Sequence, residues 1–226
     1  MISSRWRVAA GVVALLGSSL GQLAQYVVSP AHVSGGSTAD QVAAVDGHGA
    51  RMTASIWLDL LILLLIPAAL YVGEVAGARR SRLAATGTVL VFGTSLTAGY
   101  LLALDPLLYL ASKASDRAGA VKLLSEYESA AVTNVVIVIS VLGGMIGLIL
   151  LGIALVRARS VPVWAGVAVA VSAVLEVAGQ AVGLDAVAVL AYLLRVVGFA
   201  ACAVALIALH RAPVPEEAPV VAPSPA

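Results

Sequence analysis

The sequence predicts an all-α integral membrane bundle of six transmembrane helices with both termini cytoplasmic. Three observations carry that prediction. Hydrophobic residues make up 61% of the 226 positions before the 21 glycines are counted, and charged residues only 11%. Soluble domains average about 45–50% apolar with glycine included and about 25% charged. Six apolar runs each reach the ~20 residues that a helix needs to cross a hydrocarbon core about 30 Å thick. The basic residues fall unevenly on alternate connections, as the positive-inside rule requires. A closed barrel also satisfies its backbone in lipid, but these runs are about twice the length of a barrel strand. A net charge of +1 leaves no basic surface to hold phosphates, so nucleic acid is excluded as a partner.

The first run, 8–28, follows Arg5 and Arg7 and carries Gln22 and Gln25. A cleaved signal peptide is the rival reading, with Ser29-Pro30-Ala31 as the cleavage site. The apolar stretch exceeds the usual h-region of about 7–15 residues, which favours a span. In the following loop Thr38 and Gln41 form a capping-box pattern, predicting a short helix over 39–45 that Gly47 ends. The second run, 54–76, contains Pro67, and the third is 83–104. The loop 105–130 predicts a surface helix capped by Asp105 with Pro106 at its first position. Leu107, Ala111, Ala114, Ala118 and Val121 would form its apolar face, and Gly119 would interrupt it. Such a helix lies across the outer mouth or on the headgroups. The fourth, fifth and sixth runs are 131–156, 161–183 and 186–209, the last two joined by a two-residue turn. The remaining segment, 212–226, holds five of the nine prolines and is expected to be a disordered cytoplasmic tail.

Orientation follows from arginine and lysine. Arg5, Arg7, Arg79, Arg80, Arg82, Arg157, Arg159 and Arg211 fall on the connections assigned to the cytoplasm, and Arg51, Lys113, Arg117 and Lys122 on the longer outer loops. Gly17/Gly21, Gly73/Gly77, Gly143/Gly147 and Gly179/Gly183 repeat at the four-residue spacing that lets helices approach closely.

Depth is the informative feature. Polar side chains crowd the outer halves of the spans, whereas the inner halves hold little beyond Thr86, Thr88 and Cys202. Ser172, Glu176 and Gln180 share one face of the fifth helix, and Ser18, Gln22 and Gln25 one face of the first. Counting from the turn near Leu184-Asp185, Glu176 and Arg195 sit roughly 13 and 16 Å deep at 1.5 Å per residue. An ion pair between them is therefore expected, with Asp59 as a second acidic partner, because a charge at mid-membrane costs about 2.5–3.5 kcal/mol or more. Gln22, Asn134, Gln180 and Tyr192 complete the expected ligand-binding set, with apolar packing below it.

No metal or cofactor is expected. His32, Asp40, Asp46 and His48 share a loop without a standard ligand spacing, no histidine lies at mid-membrane for haem, and no lysine lies in a span for a Schiff base. There is no His-Glu-x-x-His, Gly-x-Ser-x-Gly or phosphate-loop motif. A single cysteine, Cys202, excludes an internal disulfide.

Three stretches carry a resemblance: Ala-Asp-Gln-Val-Ala-Ala-Val in the first loop, Arg51 leading to Trp57-Leu58-Asp59-Leu60-Leu61, and the basic turn Val156-Arg157-Ala158-Arg159-Ser160-Val161-Pro162-Val163-Trp164-Ala165-Gly166-Val167. In layout the chain resembles the uncharacterised bacterial six-helix membrane proteins grouped as domain of unknown function 4386. The resemblance implies the six-helix fold and no activity. The last span, with Arg195, departs from that pattern.

The expected partner is the lipid bilayer, and two functional readings stand. One is a plasma-membrane protein with an outward-facing polar pocket that binds, or helps to transport, a small polar ligand or lipid headgroup. The other is a structural or accessory subunit whose polar helix faces bind a partner membrane protein. Catalysis has thin support, since Glu176 alone supplies no acid–base constellation.

Overall fold

In a computed structural model, described over residues 4–31, 36–77 and 81–211, the chain is helical, and the described residues contain no strand. The helices are α1 (Ser4–Val28), α2 (Thr38–Val45), α3 (Gly49–Ile62), α4 (Leu65–Val75), α5 (Arg82–Leu101), α6 (Leu104–Lys113), α7 (Arg117–Ser129), α8 (Ala131–Ala158), α9 (Val163–Val182) and α10 (Asp185–Arg211). Five segments are long and apolar enough to cross a membrane: Arg5–Val28, Gly49–Val75, Ala131–Ala158, Val163–Val182 and Asp185–Arg211. The proline-rich segment 212–226, His32 and the Arg79-Arg80 pair lie outside the described residues.

The long helices close a ring in the order α1, α3–α4, α5, α8, α9, α10 and back to α1. Neighbours run antiparallel, and small residues set their spacing. A Cβ on Gly152 would lie 2.5 Å from the Gly166 carbonyl oxygen, so α8 and α9 meet glycine to glycine. A Cβ on Gly147 would lie 2.7 Å from Val91 Cγ2, which brings α5 along α8. Thr97 Oγ1 and Ser140 Oγ, 2.8 Å apart, and Tyr100 Oη and Thr133 Oγ1, 3.3 Å apart, tie the same two helices further along. The turn between α9 and α10 is Gly183-Leu184. Gly183 adopts φ 69°, and the N–H groups of Gly183 and Leu184 donate to the carbonyls of Gln180 and Gly179.

The second apolar run is broken between α3 and α4. Pro67 has no N–H, and its ring clashes with the carbonyl of a continuous helix four residues back. The Leu63 carbonyl accepts instead from Ile66 N–H at 3.1 Å, and Leu61 from Leu64 N–H at 3.1 Å. These tighter bonds satisfy the backbone inside an apolar layer, where an orphaned carbonyl costs several kcal/mol.

Two clusters form the interior. The larger runs through the ring and includes Leu15, Ala69, Val72, Val91, Leu151, Leu155, Val169, Phe199, Cys202 and Leu206. The smaller lies over one end, where α2, α6 and α7 form a helical cap around Val42, Val45, Met52, Leu108 and Leu124. The cap starts differently from expectation. Ser37 is the N-cap of α2 and Asp40 completes its capping box, one residue before the predicted pair. Helix α6 begins at Leu104, so Asp105 sits inside its first turn and leaves its own helix uncapped. The break in the long loop falls before Arg117, where Asp116 accepts from Gly119 N–H, so Gly119 lies in the first turn of α7 instead of interrupting a helix.

Candidate functional site in the membrane interior

Arg195 on α10 is 2% exposed. Its Nη1 donates to Gln22 Oε1 on α1 at 2.8 Å, and its Nη2 pairs with Glu176 Oε2 on α9. Tyr192, one turn before Arg195, donates its hydroxyl to Glu176 Oε1 at 3.1 Å and accepts from Gln180 Nε2 at 3.2 Å. The Arg195 guanidinium carbon lies 5.6 Å from the centre of the Tyr192 ring. Three helices thus share one network, and the expected ion pair between Glu176 and Arg195 is present. Buried charges in lipid persist where partners of opposite sign and hydrogen bonds compensate them. The guanidinium is nevertheless not fully used, because its Nε is buried without a hydrogen-bond partner.

The network borders a cavity of about 190 Å3 in the middle of the ring. Gln22, Thr94, Ser95, Ser140, Glu176, Gln180 and Arg195 supply polar groups to its wall. Leu63 and Leu65, at the break between α3 and α4, border it together with Val91, Met145 and Leu148. The hydroxyls of Thr94 and Ser95 bond back to their own helix, to the carbonyls of Leu90 and Val91. Thr94, Ser95 and Ser140 are polar residues in the outer halves of the third and fourth runs, and depth alone does not join them to the site.

Two expected members lie elsewhere. Asp59 is buried at 5% exposure, but it faces the Asp105 carboxyl at the cap instead of Arg195. Asp105 also accepts from Ser55 Oγ at 2.9 Å and from Gln25 Nε2 at 3.3 Å, so α1, α3 and α6 are pinned together there. The break at Leu63–Leu64 redirects α3, and Asp59 sits on the α3 side of it. Asn134 is exposed at the start of α8 and donates to the carbonyls of Ser129 and Ala130. It serves its own helix end and does not line the cavity.

The half of the ring away from the cap, expected to be the apolar inner half, also departs from expectation. It contains a second cavity of about 1120 Å3, bordered by Arg7, Glu74, Ser81, Thr88, Arg157 and Ser160 as well as Pro67, Leu70 and Ala154. The two cavities come close at the helix break. Leu65 borders the outer one and Pro67 the inner; Val91 borders the outer and Thr88 the inner. At 1.5 Å per residue those steps are roughly 3–5 Å.

Comparison of the chain with protein-family models, with curated proteins and with solved structures finds no match in any of the three.

Proposed function

We propose that this is a six-span plasma-membrane protein whose outer cavity binds a small polar solute, and that the binding is a step in moving that solute across the bilayer. The sixth span is α5. It is 20 residues long and runs antiparallel along α8, itself a membrane-length helix, from Gly87 against Gly147 to Tyr100 against Thr133. Exposed Trp6 and Trp164 at one end of the ring and Trp57 toward the other suit the two interfaces of a bilayer. Arg5, Arg7, Arg82, Arg157, Arg159 and Arg211 gather at the uncapped end, which supports a cytoplasmic position for that end and an outer one for the cap.

The observation that carries the solute reading is Arg195. A purely structural ion pair is enclosed by packing, whereas this one borders a void and leaves a buried Nε unpartnered. The void is somewhat larger than an engineered cavity of about 150 Å3 that holds benzene, so its occupant has the size of an amino acid or a small polyol. With Arg195 and Glu176 cancelling each other, a neutral or zwitterionic molecule fits better than an ion. The second cavity, toward the other end of the same ring, favours passage over simple retention.

The test is a stability screen of the purified chain against free amino acids and small polyols. One chemical class should raise the unfolding temperature of the parent protein and fail to do so for Thr94→Val and Ser140→Ala, which alter the cavity wall away from the ion pair. A uniform response across the panel, unchanged in both variants, would leave the pair as a strut and end the solute reading.

A further inference from the structure

The inner cavity carries an inference independent of solute binding. Its volume, about 1120 Å3, exceeds the roughly 300–1,000 Å3 of sites for drug-sized ligands. Its wall is divided by chemistry. Pro67, Leu70 and Ala154 lie toward the middle of the ring, and the charged residues lie at the helix ends.

Among the described residues, the charges at that mouth do not cancel. Glu74 is held by Arg7 Nη2 at 3.0 Å and approached by His210 Nε2 at 3.6 Å. Arg157, in the last turn of α8, has no ion pair among the described residues. In the same wall, Ser160 Oγ is shielded from solvent and has no hydrogen-bond partner among the described residues. Between the two, Arg159 turns the chain in a left-handed conformation, φ 51°, an uncommon one for a residue with a side chain. A buried hydroxyl without a partner is costly, and the same wall carries Arg157, an exposed guanidinium with no acidic partner among the described residues. A phosphodiester satisfies both: its oxygens accept from arginine in a charge-assisted bond and, once a rotamer change turns the serine hydroxyl into the cavity, from Ser160. The apolar depth behind them suits a hydrocarbon chain, so the shape and the charge together describe an anionic amphiphile.

We infer that the inner cavity binds an anionic phospholipid, with its phosphate at Arg157 and Ser160 and its acyl chain against Pro67 and Leu70. Basic pockets between membrane helices on the cytoplasmic side are the physical setting for such headgroups.

The experiment follows the unfolding temperature of the detergent-purified full chain as dioctanoyl phosphatidylglycerol is added. Dioctanoyl phosphatidylcholine and inorganic phosphate serve as the other two probes. Phosphatidylglycerol should stabilise the protein saturably, and the other two should not. Arg157→Gln should raise the half-saturating phosphatidylglycerol concentration about tenfold, and Ser160→Ala should raise it less. Arg5→Gln removes a charge at the same end but outside the cavity wall, and should leave the curve unchanged. Equal stabilisation by phosphatidylcholine would reduce the effect to general solvation by lipid. Protection by inorganic phosphate alone would assign the mouth to a soluble anion. An Arg5→Gln effect as large as that of Arg157→Gln would reduce it to surface charge. Each of these three overturns the inference. Neither Arg157 nor Ser160 borders the outer cavity, so solute binding and lipid binding can fail separately.

Discussion

Arg195 reaches across 173 positions of the chain to place its Nη1 2.8 Å from Gln22 Oε1. That bond joins the first long helix to the last and closes the ring, while the same guanidinium holds Glu176 on α9, the neighbour of α10 on its other side. Breaking one side of a buried pair strands the other charge, at a cost of about 3–5 kcal/mol. Arg195→Gln should therefore destabilise the protein by that amount, measured by reversible unfolding in mixed micelles. Adding Glu176→Gln should recover a clear part of the loss, since glutamine at both positions leaves no charge without a partner. Equal losses in the single and the double variant would mean that the two side chains are not energetically coupled.

Glycine contacts give a second prediction with a built-in contrast. A Cβ on Gly152 would meet the Gly166 carbonyl oxygen at 2.5 Å and the Ala170 backbone nitrogen at 2.9 Å. Backbone cannot swing aside as a side chain can, so α8 and α9 must separate. Gly152→Ala should cost about 1–3 kcal/mol, as overpacking does. A Cβ on Gly93 meets nothing within 4 Å. Gly93→Ala should be neutral or stabilising by up to about 1 kcal/mol, because alanine is the better helix former. Unfolding curves of the two variants side by side provide the check.

Much of the frame is readable from hydropathy and helical spacing, because in lipid the backbone has almost no alternative to a helix. The Glu176–Arg195 pair is readable for the same reason. Two positions flanking a two-residue turn have their depths fixed by 1.5 Å per residue, and arginine is long enough to cover the remainder. What could not be read is what depends on helix direction. Asp59, on the α3 side of the break, meets Asp105 and not Arg195, and a lone proline in a sequence does not give the angle of the bend beside it. Asp105 itself reads locally as a helix cap, since aspartate before proline at a helix start is a common signal. Its real partners, Ser55 and Gln25, are 50 and 80 positions away. The inner cavity was invisible for a related reason: composition shows which residues are apolar, but not whether the space between them is filled.

At the cap, Asp40 supplies a pH dependence. Its carboxyl is held below the ordinary value by the Ser37 hydroxyl and then by the Ser37 backbone N–H, both donating to it. A carboxyl whose pKa is lower in the folded state stabilises that state above the unfolded value, and the contribution disappears as the pH falls through the folded value. Amide exchange in α2 should therefore be slow at neutral pH, after correction for intrinsic rates, and speed up as the pH falls through and below the normal carboxylate range. Asp40→Asn should weaken that dependence. Exchange that follows pH identically in the parent and the variant would mean that the box does not hold this end of α2.

The helix break lends itself to the sharpest structural test. Pro67 occupies the third position of α4, within the first turn, where a missing N–H costs little. Pro67→Ala should therefore change global stability by no more than about 1 kcal/mol. It should nonetheless change local structure, because an alanine N–H can donate to the Leu63 carbonyl, which now accepts from Ile66 at 3.1 Å. A continuous helix through this point carries Leu63 and Leu65 out of the positions from which they border the outer cavity. Amide exchange at Leu64 and Ile66 should slow in the variant, and the stabilisation by solute seen in the parent should be lost while the fold is kept. If exchange at those two amides is unchanged, the tight turns come from the packing of α4 against α1 and α5, and Pro67 only occupies a bend made by its neighbours.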